Sequence, residues 1–302
     1  IMNKLRPTDF GSYWYEISKE LSGIEMNSEI SMIPIRSNAS STLYSVSLVG
    51  ANNYPLKGYL SIPNKEGRFP AIYFAPRNAS VLEIIPQGMS TNVRDQFVIF
   101  SLACRGMRNS DNPHVSMYPG QLTENVDSVE NYIYRGIVAD TLRGLDFILT
   151  RPEIDKNSLL AYGNDIALLA AALHGAVTHV VATPAYFFDT IDIAKLTNSY
   201  PLEEFNDYLR LYPDSELNVR ETLSYFNLRW HAQSISANTL IICGDSENVY
   251  SKSNLTPFID NIAGKITVKE SENSAYKDGL FIQEWIADEI GDGVPILPQH
   301  WK

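Results

Sequence analysis

Apolar and polar positions along this chain recur with two periods, and the switches between them outline its elements. Phe10, Trp14, Ile17 and Leu21 fall at helical spacing after Pro7-Thr8-Asp9. They predict an amphipathic helix capped by Thr8 or Asp9 that packs on the main body. Ile30–Ile35 and Leu43–Val49 alternate as strands do. Asn52-Asn53 predicts a turn, and Leu56–Pro63 a strand ended by its proline. Lys65-Glu66-Gly67 turns the chain into a short buried strand, Pro70–Phe74, and Phe97–Leu102 predicts another. Arg105–Gly120 is a polar loop marked by glycine and proline. Ile133, Ile137, Leu142, Leu145 and Leu149 form the inner stripe of a long helix, with Pro152 just past its end. Strands are predicted at Val177–Ala182, Thr239–Cys243 and Lys265–Val268, and helices at Ser253–Ile262 and Leu280–Ile290. Residues from about 186 to 232 are aromatic and acidic without a strand pattern, and predict a helical insertion. Strands alternating with helices argue an α/β fold with one doubly wound, mainly parallel sheet. The expectation is one domain over residues 1–302, opened by a helix and strands in 1–63.

The stretch Asn157–Ala176 is the centre of this pattern. A short apolar run, Leu159–Tyr162, breaks at Gly163 and resumes as Ile166–Leu173, a strong helix former with no turn residue inside. Strand, glycine turn and buried helix resemble the G-x-S-x-G nucleophile elbow of α/β-hydrolases. Here the five residues are Gly163-Asn164-Asp165-Ile166-Ala167, with aspartate at the serine position. Asp165 is therefore expected at the tip of a tight turn, first in the helix, where its charge is favourable.

Composition narrows the partners. The 302 residues are 44% hydrophobic and 20% charged, enough for a large core. A formal charge of -11 argues against nucleic acid and against an anionic membrane. It leaves a neutral ligand such as a sugar ester open. Cys104 and Cys243 make neither a disulfide framework nor a zinc pattern and are expected as small buried hydrophobes. No cofactor is expected. No apolar run approaches the ~20 residues of a spanning helix. The chain begins at Ile1, so the expectation is a soluble protein with an upstream segment removed, a secretion signal among the candidates. The N-x-S/T triplets at Asn38, Asn78 and Asn254 decide nothing.

Several short motifs, in order, resemble the acetyl xylan esterase / cephalosporin-C deacetylase family of α/β-hydrolases. Pro7-x-Asp9-Phe10-x-x-Tyr13-Trp14 is similar to its opening, and Lys57-Gly58-Tyr59-Leu60-x-x-Pro63 to its GWL-x-x-P strand. Cys104-Arg105-Gly106 stands where the family has D-x-R-G-Q-G. Tyr132-x-Tyr134-Arg135, Asp140 and Arg143-Gly144-Leu145-Asp146 resemble its long helix, and Arg151–Asp155 its R-P-E-V-D. Tyr200-Pro201 to Tyr225-Phe226 tracks its insertion. The resemblance implies an α/β-hydrolase fold, a Ser-His-Asp deacetylase of small acetylated sugars, and a cyclic, commonly hexameric assembly.

Carried over position by position, the site is degenerate. The nucleophile position is Asp165 and the acid position Glu247. The histidine position falls near Ser274, with no histidine in that stretch. The oxyanion region is Ala75-Pro76-Arg77 together with Ile166, and proline offers no N–H. Aspartate nucleophiles exist on this fold, in haloalkane dehalogenases and epoxide hydrolases, but they need a histidine to activate water. Of His114, His174, His179, His231 and His300, only His114 lies in a loop able to swing in. A cation held by Asp165, Glu247 and Asp245 is a further, weaker option. Two function classes follow. One is a non-catalytic binding or structural homologue for a carbohydrate or acylated ligand. The other is a hydrolase using Asp165. Arg77 is expected to take the oxyanion position and pair with Asp165, or else to point into solvent.

Overall fold

In the computed structural model, residues 5–79, 81–86 and 92–297 are described. Among them nine strands form one sheet, in the order β1-β2-β3-β5-β4-β6-β7-β8-β9. The strands are β1 (Glu29–Met32), β2 (Ser41–Val49), β3 (Pro55–Pro63), β4 (Phe69–Phe74), β5 (Val98–Ala103), β6 (Ile154–Gly163), β7 (His179–Ala182), β8 (Asn238–Cys243) and β9 (Ile266–Glu270). The first three strands and the β3–β5 pair run antiparallel; β5 through β9 are mutually parallel. Helices α1 (Phe10–Ser22), α2 (Val93–Gln96), α3 (Ile133–Leu149) and α4 (Asp165–Leu173) are followed by the insertion. That insertion holds α5 (Thr190–Ala194), α6 (Glu203–Leu211), α7 (Glu216–Phe226) and α8 (Leu228–His231). Helices α9 (Lys252–Ile259) and α10 (Ala275–Ile290) close the chain.

Side chains that succeed each other along the central strands bury on opposite faces, as the period of two requires. Ala71, Tyr73, Phe100 and Ala161 join the core beneath α1, α3 and α4. Their neighbours Ile72, Ile99 and Leu160 join a second core closed by Trp285, Ile286 and Ile290 of α10. Strands buried on both sides explain why these segments read as continuous apolar runs. The predicted stripe of α1 is buried at all four positions. Cys104 and Cys243 are buried free thiols.

Several boundaries differ from the sequence reading; α9, for one, ends at Ile259 rather than Ile262, and β9 runs on to Glu270 rather than ending at Val268. The strand at Ile30 ends at Met32, because Pro34 starts a single 3₁₀ turn that leaves Ile35 91% exposed. β7 begins at His179 rather than Val177. α10 starts five residues before Leu280, because Ser274 caps it, its Oγ accepting the Lys277 N–H at 3.3 Å.

The family-like motifs tie these layers together. Arg105, following β5, donates from Nε to Asp140 Oδ2 at 2.9 Å and from a terminal nitrogen to Oδ1 at 2.7 Å, and its N–H also donates to Oδ2. Gly136 makes room for this, since a Cβ there would lie 2.5 Å from the guanidinium stem. Arg143 of α3 donates to the carbonyls of Leu21 and Ile24, and Trp14 Nε1 to the Tyr225 carbonyl. The motif residues thus hold α1, α3 and the insertion in place.

Candidate functional site

The parallel strands end on one edge of the sheet, the edge where open α/β sheets place their crevices. Two neighbouring cavities lie there. The smaller, about 310 Å³, is lined by Arg77, Tyr162, Asn164 and Thr183 among others. The larger, about 630 Å³, is lined by Tyr200, Glu247, Asn248, Ser271 and Asn273 among others. Thr183, Ala185 and Ile282 border both, so they form one crevice.

The turn between β6 and α4 is built as predicted, with Asp165 as the first residue of the helix. The small side chain of Ala167 lets the helix lie close: a Cβ at Gly163 would sit 3.6 Å from it. Asp165 does not, however, face the crevice. It is fully buried. Its Oδ2 accepts the Ala185 N–H at 2.7 Å, and its Oδ1 accepts those of Phe187 at 2.7 Å and Tyr186 at 3.2 Å. The carboxylate pins the segment after β7 to the elbow. Burial pushes its pKa up to about 6, against the pull of these N–H groups toward the charged form.

The side chain at the mouth is Asn164, the last residue before the helix. Its Oδ1 accepts the Tyr186 hydroxyl at 3.1 Å. A carboxamide nitrogen carries no free lone pair for acyl attack, so the tip residue is a hydrogen-bonding group. The motif alone gives no sign of this, because it aligns aspartate with serine.

Arg77 does not pair with Asp165. Its Nε lies 3.4 Å from Glu83, both side chains are partly exposed, and its guanidinium carbon stands 5.9 Å from the Tyr162 ring centroid. The backbone donors of residues 185–187 already occupy both Asp165 oxygens, which removes the reason for the pair. Ile166, the other oxyanion position, is buried in the core under the sheet. Glu247 is exposed on the rim of the larger cavity. Ser274 is the cap of α10 described above.

The loop after β8 does reach the loop after β9, but through other residues. Asn273 Nδ2 donates to Asp245 Oδ2 at 2.7 Å. The preceding Ser271 Oγ donates to Asp278 at 2.6 Å, as does the Glu272 N–H at 3.0 Å. The two strand-end loops that carry acid and base in a Ser-His-Asp hydrolase are therefore joined here by a carboxylate–amide bond. Asn273 has a positive φ of 52°, a conformation asparagine tolerates well, and the sequence offers no signal for it beyond the residue type itself.

Among the described residues no histidine lines either cavity. His231 is fully buried, donates from Nε2 to the Tyr225 carbonyl at 2.9 Å, and packs on Phe10 and Trp14; burial pulls its pKa down to about 4. His174 meets Asp146, and His179 meets Thr178. His300 lies outside the described residues. His114 pairs with Glu124 at 2.6 Å and has Ser116 Oγ at 3.4 Å. That trio is not a triad, because both partners meet the same ring nitrogen, whereas a catalytic histidine takes the proton on one and is held by the other. The cation reading also fails. No group of three metal-ligating side chains forms among the described residues, and Asp165 is held by N–H donors, which a cation site excludes.

No helix among the described residues is long and apolar enough to cross a membrane. The fold is similar to that of an acetyl xylan esterase from Paenibacillus sp. R4, at a TM-score of 0.76 and 20% identity over 92% of this chain and 93% of that one. It is equally similar to acetyl xylan esterase 1 from Thermoanaerobacterium sp. JW/SL YS485, at 0.77 and 20% over 90% and 89%. In sequence, 261 residues are 21% identical to the acetyl esterase Axe7A of Xylanibacter ruminicola, covering 80% of this chain. The match spans 57% of that relative's length. The acetyl xylan esterase (AXE1) family pattern matches residues 2–277. With most of its length matched, and with the scaffold contacts of Trp14, Arg105, Asp140 and Arg143 in place around an α/β-hydrolase sheet, the chain belongs to the acetyl xylan esterase family.

Proposed function

We propose that this chain is a family member that binds a carbohydrate ligand in the strand-end crevice without hydrolysing esters. The observation that carries the reading is the elbow. Its tip is the amide of Asn164, and the one carboxylate beside it is buried and bonded on both oxygens. Losing a single oxyanion donor costs ~10²–10³ in rate, and losing a triad member costs more. Here Pro76 supplies no N–H, and among the described residues no histidine lines the crevice. The crevice keeps the groups a sugar needs: carboxylate, amides and hydroxyls at Glu247, Asn248, Asn273 and Ser271, beside the partly exposed ring of Tyr200.

The alternative, a hydrolase with Asp165 as nucleophile, needs a carboxylate facing substrate and a histidine behind water. The burial of Asp165 speaks against it. Two measurements test the reading. Hydrolysis of p-nitrophenyl acetate and of acetylated xylo-oligosaccharide is expected at the buffer rate. The thermal midpoint is expected to rise with xylo-oligosaccharide, since a ligand of the folded state stabilises it. Turnover above background that disappears in Asp165→Asn favours the hydrolase instead.

A further inference from the structure

The two halves of the crevice differ in charge. Among the described residues, the smaller cavity is lined by a guanidinium, an amide and a hydroxyl from Arg77, Asn164 and Thr183, with no acidic side chain. The larger cavity carries Glu247 and Asp278. We infer that the smaller half is a carboxylate subsite, and that the crevice prefers a sugar acid to a neutral sugar. The inference rests on the carbohydrate reading above and names its ligand class.

The donors set the chemistry. Asn164 gives its oxygen to the Tyr186 hydroxyl, so its NH₂ end is the group offered to the cavity. Arg77 is steadied by the Tyr162 ring, which also lines the cavity. Its ion pair with Glu83 runs through Nε at 3.4 Å, with side-chain exposures of 44% and 37%. A half-solvated pair of that kind is worth about 0–1 kcal/mol, so a ligand anion competes with it readily. A carboxylate offers up to about four lone-pair sites and matches the planar fork of a guanidinium. It satisfies guanidinium, amide and hydroxyl together, which a sugar hydroxyl with its own proton to place does not. The ring of the same ligand then lies past Thr183 and Ala185, toward the acceptors Glu247 and Asp278 and the amides Asn248 and Asn273. The overall charge of -11 makes this local inversion of sign the more specific, since the rest of the molecule repels anions.

Calorimetry and thermal shift with methyl glucuronoside, methyl glucoside and sodium acetate test the assignment. The glucuronoside is expected to bind at least about tenfold tighter than the glucoside, the scale of one charged hydrogen-bonded contact. Arg77→Gln is expected to erase that preference. Glu83→Gln is expected to sharpen it, by removing the competitor. The unliganded midpoint of each variant reports whether it folds, and Asn164→Ala gives a second, smaller loss of preference. Equal binding of acid and neutral sugar, or a preference that survives Arg77→Gln, overturns the inference and leaves the carbohydrate reading standing. Acetate binding as tightly as the glucuronoside overturns the sugar class. Absence of binding by all three overturns both the inference and the carbohydrate reading.

Discussion

Asp165 and His231 are both fully buried, and burial moves their pKa values in opposite directions. The Asp165 carboxyl rises from 3.8 to about 6. Its contribution to stability is full below pH 3.8 and is lost as pH climbs through 6. The His231 imidazole falls from 6.5 to about 4. Its contribution is full above pH 6.5 and is lost as pH drops through 4. Between those limits the two slopes oppose each other, each on the order of 2–3 kcal/mol. Removing one exposes the other. Asp165→Asn is expected to lose about 2 kcal/mol more than the parent between pH 7 and pH 4.5, measured by urea unfolding at each pH. Parallel profiles for parent and variant would show that Asp165 does not titrate as a buried group. At this scale the sequence predicted where Asp165 stands in the chain and missed where it points. Its partners are backbone N–H groups of residues 185–187, and no side-chain pattern reports those.

The elements were legible because each has a strong period of its own. Helix α1 buries the four residues its spacing picks out, and the elbow helix starts at the predicted residue. Where reading failed, a local hydrogen bond decided. Ser274 looked like a vacant histidine position and is a cap; the lone signal for that is a serine followed three residues later by Lys277, whose N–H it takes. The short α2 has no amphipathic repeat to find. Arg105 and Asp140 join two elements through a largely buried ion pair, with Asp140 wholly buried and Arg105 13% exposed. Removing one member leaves a buried charge uncompensated. Arg105→Ala is expected to cost about 3–5 kcal/mol in urea unfolding. Adding Asp140→Asn is expected to recover a large part of that, through a coupling energy above about 1 kcal/mol. Additive losses would show that the guanidinium acts by packing over Gly136 alone.

Across the whole molecule, the crevice draws its walls from loops that follow β4, β6, β7, β8 and β9. None of those loops has a period, so their side chains were legible only through resemblance. The Asn273–Asp245 bond spans 28 residues of sequence and depends on two strands lying side by side, a fact of the sheet and not of either segment. The placing of Asp165 at the head of α4 has a further consequence, one of phase. A helix turns 100° per residue, so adjacent positions at its start face different worlds. The motif and the backbone are here out of step by one residue, and a serine restored at each position meets a different fate. Asn164→Ser with Asn273→His is expected to fold like the parent and to show weak esterase activity at most, since Pro76 still withholds its donor. Asp165→Ser with Asn273→His is expected to be inactive and about 1–3 kcal/mol less stable, because it strands the N–H groups of 185–187. Assays with p-nitrophenyl acetate and urea unfolding separate the two. Activity from the second pair with stability intact would reverse the order. Reviving such a site is thus a matter of angle before chemistry: the hydroxyl has to leave the core before it can meet an ester.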